Sequence, residues 1–219
     1  HYEVEIGIKT LLMDGKMRLN ATWYSIEWTD IQVSQFDPVH VNFITFIENA
    51  ADADVTGLEA DMLYYPSDSL TISAAISLND TEIVNDVAQT IPIVDIGNPL
   101  PLAPKRQGNV RIRKDLSSNQ SYFQAAVKYA SSTYNSFEAA KVLDQPAYTI
   151  VDFAYGLTIN DVDVEFFIRN ANDERANLYY NDQDDIPRIT TNRPRNMGVR
   201  MSYRSVSYTH LRAHETLAD

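Results

Sequence analysis

Apolar and polar residues alternate over most of this chain, and the alternating segments are joined in turn by tight turns and long polar connections. Leu70, Ile72, Ala74, Ile76 and Leu78 stand against Thr71, Ser73, Ala75, Ser77 and Asn79; Val199, Met201 and Tyr203 stand against Gly198, Arg200 and Ser202. Successive side chains of a strand point to opposite faces, so each segment reads as a strand with one apolar and one polar side. A sheet that crosses a bilayer must pair its backbone strand to strand, and in such sheets the connections are short on one side and long on the other. The rhythm of this chain meets that requirement, which gives an all-β expectation of antiparallel transmembrane barrel strands.

The short turns fall at Asp14-Gly15, Pro66 to Ser69, Ser117 to Asn119 and Asn160-Asp161. Strands are expected over about 2–12, 16–33, 55–65, 70–79, 108–115, the segment carrying Phe123, Ala125, Val127 and Tyr129, then 148–158, 162–169 and 197–204. The long connections are 34–54, 80–107, 131–147 and 170–196; within the first, the run 42–47 suits strand extension beyond the membrane. Pro92, Pro99, Pro101 and Pro104 bar a strand through the later half of the second. Nine strands is odd, whereas bacterial single-chain barrels usually close with an even number, so further strands are expected upstream.

No run of about 18 apolar residues exists to make a helical span. A formal net charge of −12 disfavours nucleic acid, which needs clustered Lys and Arg; Lys105-Arg106 and Arg111, Arg113, Lys114 read instead as lumen or rim charges. The chain has no cysteine, so neither disulfides nor thiolate chemistry enter. No catalytic residue set, cofactor motif or metal site emerges. Glu59 and Asp61 repeat along a polar strand face and are not a pair of catalytic acids; Asp182, Asp184 and Asp185 lack EF-hand spacing and read as a solvated acidic loop.

Alternation alone fits two architectures. In an aqueous sandwich the apolar sides pack on each other. In a barrel they face lipid, and Glu59, Asp61, Arg111, Arg113, Arg200 and Arg204 face a wet or plugged lumen. The order of short and long connections favours the barrel. So do Trp23, Trp28, Tyr64, Tyr65, Tyr129 and Tyr203, amphipathic rings placed near candidate membrane borders.

The segments Tyr2-Glu3-Val4-Glu5-Ile6-Gly7-Ile8-Lys9, Trp28-Thr29-Asp30-Ile31-Gln32, Val55-Thr56-Gly57-Leu58-Glu59-Ala60 and Val164-Glu165-Phe166-Phe167-Ile168-Arg169-Asn170-Ala171 follow one another in a characteristic order. With Gly108-Asn109-Val110 and Arg193-Pro194-Arg195 before the final strand, they make residues 1–204 resemble the C-terminal half of TonB-dependent outer-membrane receptors. The resemblance implies the last nine or so strands of a roughly 22-stranded barrel in the bacterial outer membrane, with short turns periplasmic and long connections external. It also implies active uptake of a scarce solute, with an iron–siderophore complex as the family default, and no enzymatic activity. The implied partners are TonB with its inner-membrane energising complex, engaged through an upstream plug and TonB box, the barrel-assembly machinery, outer-membrane lipid and a small-molecule substrate. Tyr134, Phe137, Tyr179, Tyr180 and Arg188 are the ligand-contact candidates in the external connections.

Neither end reads as native. His1-Tyr2-Glu3-Val4 opens directly in a strand without an export signal, so an upstream portion is expected. Ser205 stands where the family carries a terminal aromatic residue. Residues 206–219 resemble translated read-through of a sequencing adapter, and a disordered tail is expected there, apart from the barrel portion at 1–205; His210 and His214 are then no metal pair. A passive porin and a soluble β-sandwich binding module are the competing expectations.

Overall fold

The computed structural model describes residues 1–37, 44–88, 93, 95–116, 120–181 and 188–203. Thirteen strands form among them. They are β1 (Tyr2–Leu12), β2 (Met17–Asp37), β3 (Ile44–Ser67), β4 (Leu70–Asp86), β5 (Arg106–Leu116), β6 (Ser121–Ala130), β7 (Thr133–Tyr134), β8 (Asp144–Gln145), β9 (Tyr148–Ile159), β10 (Val162–Arg169), β11 (Asn177–Asn181), β12 (Arg188–Thr191) and β13 (Asn196–Tyr203). Nine of them make one sheet in the order β1-β2-β3-β4-β5-β6-β9-β10-β13, with every neighbouring pair antiparallel. The sheet is open: among the described residues β1 and β13 each have one neighbour. The short pairs β7-β8 and β11-β12 stand apart within two of the long connections.

The register joins the apolar sides of separate strands into one face. Leu19, Met62, Ala74, Val110, Val127 and Val151 lie in one row across β2, β3, β4, β5, β6 and β9. A slip of one residue in any pair would break that row, so register here is fixed by polarity. Turn chemistry agrees. Asp14 and Gly15 have φ of 55° and 82°, as a type I′ hairpin demands, and the Lys16 amide closes the turn on the Met13 carbonyl at 3.1 Å.

Two expectations are corrected. Residues 34–37 and 48–54, read as part of a connection, continue β2 and β3, while 44–47 belong to β3 as the strand extension expected for 42–47; residues 38–43 lie outside the described residues. Likewise β4 continues past Asn79 to Asp86. The turn at Ser117 to Asn119, the acidic run Asp182, Asp184 and Asp185, Arg204, Ser205 and residues 206–219 lie outside the described residues.

The extensions of β2, β3 and β4 reverse the polarity of the sheet. Below Gly57 the apolar face of β3 carries Leu58, Ala60, Met62 and Tyr64, while the opposite face carries Glu59 and Asp61. Above Gly57 the faces exchange character: Asp54 joins Glu27 and Glu82 in one row on the formerly apolar side. On the other side Ala53 and Ile83 are buried at 1% and 0% exposure, with Ile31, Ala50, Ala51, Ile93 and Leu100 beside them. Three carboxylates in one cross-strand row repel one another, and only water makes that row cheap. The apolar band therefore ends near Leu78, and an aqueous layer begins at Asp80.

Ala88, Ile93, Leu100 and Ala103 from the connection that follows β4 pack on this upper core. The backbone of that connection hydrogen-bonds along β4, with the Ile83 amide on the Asn98 carbonyl at 2.8 Å and the Gly97 amide on the Ile83 carbonyl at 2.9 Å. The Leu100 amide bonds the Thr81 hydroxyl at 2.9 Å, and Phe137 packs against the cluster from the next connection.

Candidate functional site

The polar face carries five of the charged residues singled out by sequence. Glu59, Asp61, Arg111, Arg113 and Arg200 all share it by register. Trp28 and Tyr65 lie on that face too, so these two rings do not belong to the apolar band where Trp23, Tyr64, Tyr129 and Tyr203 stand.

Several charges on this face are engaged with one another. Asn20 donates to both Asp61 oxygens at 3.0 and 3.1 Å, and Arg18 lies 4.0 Å from the same carboxylate. A longer chain crosses the other half of the sheet. Arg113 binds Asp115 at 2.9 Å and stacks 3.6 Å above the Tyr122 ring; Tyr122 donates to Glu165 at 2.6 Å; Arg200 reaches the other Glu165 oxygen at 3.1 Å. Charge-assisted hydrogen bonds and a guanidinium over an aromatic face both stiffen such a wall.

Glycine makes the crossing possible. Tyr122 on β6 and Glu165 on β10 flank Gly156 on β9, and the ring lies where a Gly156 side chain would stand. Tyr24 on β2 repeats the arrangement by lying over Gly57 on β3 and donating to Asn79 on β4. Phe167 covers Gly198 the same way, with its ring 2.9 Å from the Cβ a side chain would add. An aromatic side chain that bridges two strands needs a bare backbone between them.

A groove of about 640 Å3 opens on this face toward the long connections. Asn20, Glu59, Asp61, Asn109 and Lys128 line its sheet side, and Leu178 and Asn192 reach it from the region of β11 and β12. Arg111 and Lys128 have no hydrogen-bond or ion-pair partner among the described residues, which leaves them as free cations on this face. Lys128 was not among the residues singled out by sequence, because a lone Lys in an alternating strand carries no spacing signal.

The ligand-contact candidates divide into two groups. Tyr134 donates its hydroxyl to the Pro99 carbonyl, and its own carbonyl accepts from the Leu102 amide at 2.8 Å, so it ties two long connections together. Phe137 packs on the upper apolar cluster. Tyr179 and Arg188 are exposed on β11 and β12, and the Tyr180 hydroxyl accepts from Asn177 at 2.6 Å. Asn170 and Asn192 clasp the base of that hairpin. Asn170, 4% exposed, donates to the Glu174 and Arg193 carbonyls at 2.9 and 3.0 Å and accepts from the Glu174 amide at 2.9 Å. The Arg195 amide, hydrogen-bonded to Asp173 at 3.0 Å, holds that carboxyl below the usual range.

Burial pushes the Tyr134 phenol up to about 12. A neutral acid whose folded pKa is raised adds stability below its unfolded value and loses it as pH climbs through the folded one. Between about pH 10 and 12 the contact between connections 95–104 and 131–147 is therefore expected to loosen, first as increased proteolytic nicking there. Tyr134→Phe should remove that pH dependence; nicking that rises alike in both proteins would refute the role of this phenol.

Several comparisons bear on this arrangement. A family model described as TonB dependent receptor-like, beta-barrel matches residues 2–171. The siderophore receptor PiuA from Acinetobacter baumannii is 22% identical with a TM-score of 0.72, over 91% of this chain and 27% of its own. The ferric yersiniabactin uptake receptor FyuA from Yersinia pestis is 18% identical with a TM-score of 0.71, over 91% of this chain and 29% of its own. BauA, the ferric preacinetobactin receptor from Acinetobacter baumannii, is 19% identical with a TM-score of 0.65, over 92% and 29%. No curated protein sequence matches. The chain thus spans under a third of the length of these solved receptors.

Proposed function

This chain belongs to the TonB-dependent receptor β-barrel family, whose model covers residues 2–171, and from that premise we propose that it forms the C-terminal part of an outer-membrane barrel that imports an iron–siderophore complex. Members of the family are transporters, not enzymes, and homologous receptors are outer-membrane β-barrels. The observation that carries the reading is the apolar band closed off at Leu78 by a reversal of polarity, since a lipid border accounts for both. The similarity of the sheet to PiuA, FyuA and BauA supports the siderophore class of cargo.

In this reading the polar face is the lumen wall. Its paired charges stay rigid while an upstream plug, engaged by TonB, moves against them. The external connections enclose the ligand: Tyr179, Tyr180 and Arg188 sit on the hairpin, and Tyr134 and Phe137 brace the connections behind it. Aromatic surfaces with a few oriented polar groups suit capture of a compact organic ligand. Tight capture is useful only when energy later weakens it, which is the task of TonB and its inner-membrane complex. The barrel-assembly machinery inserts the barrel, and outer-membrane lipid surrounds it.

The test is growth on ferric siderophores as sole iron source by cells whose uptake depends on the complete receptor containing this segment. Growth that disappears when TonB is deleted fits the proposal. Growth that persists without TonB and follows solute size alone would point to passive diffusion and overturn it.

A further inference from the structure

We propose, on the reading that this chain takes part in ferric uptake, that a pocket beside β11 is a subsite for an uncharged, amide- or hydroxamate-bearing arm of the cargo, with Gln145 as the residue that selects it. The pocket has a volume of about 260 Å3 and opens into the groove on the polar face, with which it shares Gln107, Tyr148 and Leu178. Separate parts of the chain converge on it: Leu102 from 95–104, Thr133 and Gln145 from 131–147, and Leu178 from β11. Thr133 stands opposite Gln145 in the β7–β8 pair, so both side chains leave the same side of that pair. Tyr134 and Asp144 leave the other side, where Tyr134 braces Pro99.

Gln145 is the feature that points to a ligand. It is 3% exposed, and its Nε2 has no hydrogen-bond partner among the described residues. A buried donor left unpaired destabilises the empty protein, and an arriving acceptor that pairs it recovers that loss. Charge narrows the class of acceptor. Among the described residues no Asp, Glu, Lys, Arg or His lines the pocket. The groove it opens into sets Glu59 and Asp61 against Lys128, and Arg111 lies one row farther from the connections, outside both linings. A site without surplus positive charge gives an anionic group no compensation for the water it sheds, whereas a neutral amide or hydroxamate oxygen accepts from Gln145 without that loss. The volume narrows the class again: complete small-molecule sites occupy about 300–1,000 Å3, so the pocket takes one arm and the iron centre stays in the groove. A ferric trihydroxamate fits both conditions, because its three monoanionic ligands balance the ferric ion, while a ferric triscatecholate is trianionic.

The complete receptor containing this segment would be titrated in detergent with ferrichrome, a neutral peptide trihydroxamate, and with ferric enterobactin, a triscatecholate, binding being read by quenching of intrinsic fluorescence. The parent protein is expected to bind ferrichrome the more tightly. Gln145→Leu keeps the bulk and removes the donor, so it should weaken ferrichrome binding about tenfold, the scale of one hydrogen bond, while the empty receptor denatures at an equal or higher temperature. Gln145→Glu, which keeps the shape and adds a charge, should weaken ferrichrome binding as well. A glutamine with a purely structural role gives the opposite pattern, a lower denaturation temperature with affinity unchanged. Unchanged ferrichrome affinity in both variants overturns the subsite, and so does a parent protein that prefers the triscatecholate or binds neither complex. Growth on ferric siderophores separates the two levels: TonB-dependent growth alongside any of those results sinks the subsite alone, whereas growth that persists without TonB sinks the uptake reading and the subsite together.

Discussion

Val110→Arg is expected to cost the folded receptor about 2–4 kcal/mol, the price of an arginine facing lipid near mid-membrane, although the next residue in the same strand is already Arg111. Both occupy β5 and both are exposed. They differ only in face: Val110 lies in the row with Ala74 and Val127, and Arg111 opposes Ser73 and Ala126. In a water-soluble sheet an exposed arginine at either place would change stability by no more than about 0.5 kcal/mol. Urea unfolding of the complete receptor in lipid vesicles measures the difference. A loss at 110 with little effect from Ala75→Arg, on the polar face between Asp61 and Asn109, is the pattern of a lumen behind and lipid in front.

The second large effect is expected at Gly156. A valine there would occupy the space of the Tyr122 ring, so the ring must swing away from β9. Overpacking of this kind costs about 1–3 kcal/mol, and losing the Tyr122–Glu165 bond, which has a charged acceptor, adds about 1.5–3 kcal/mol. Arg113 also loses the ring beneath it and Glu165 keeps only Arg200. Tyr122→Phe separates the terms, because it removes the hydroxyl and keeps the ring over Gly156. Gly156→Val should therefore destabilise clearly more than Tyr122→Phe in the same urea titration. Equal losses would mean that the glycine serves no stacking role.

Much of this architecture could be read from the sequence because strand polarity has a period of two, and a barrel repeats that signal in every strand. Val162–Arg169 was legible to the residue: Val162, Val164, Phe166 and Ile168 alternate with Asp163, Glu165, Phe167 and Arg169, and Asn160-Asp161 precedes them. The extensions of β2 to β4 were harder. Asp80 and Glu82 continue the even-numbered series of Leu70 to Leu78, so polarity changes while phase does not, and a polar stretch of that kind resembles a connection. The switch was nevertheless written in the odd positions, where Thr81 and Ile83 turn to a buried side.

The candidate site was less legible. Glu59, Asp61, Arg111, Arg113 and Arg200 could be assigned to one face because charge breaks an apolar alternation. The glycine bridges could not, since Tyr24, Gly57 and Asn79 are neighbours only through register across three strands. Tyr134 and Phe137 had the composition of ligand contacts, but their partners Pro99 and the upper cluster come from distant parts of the chain. Lone residues in long connections carry no period that tells a brace from a contact.

Because this segment contains no cysteine, a thiol introduced here is the segment's own single label site. Val127→Cys and Ala126→Cys, adjacent residues on opposite faces of β6, should be introduced into the complete receptor, reconstituted in vesicles and labelled with a fluorophore sensitive to lipid-borne quenchers. The account predicts strong quenching by mid-bilayer nitroxide lipids at 127 and little at 126. Equal quenching at both positions, or none at 127, would contradict it.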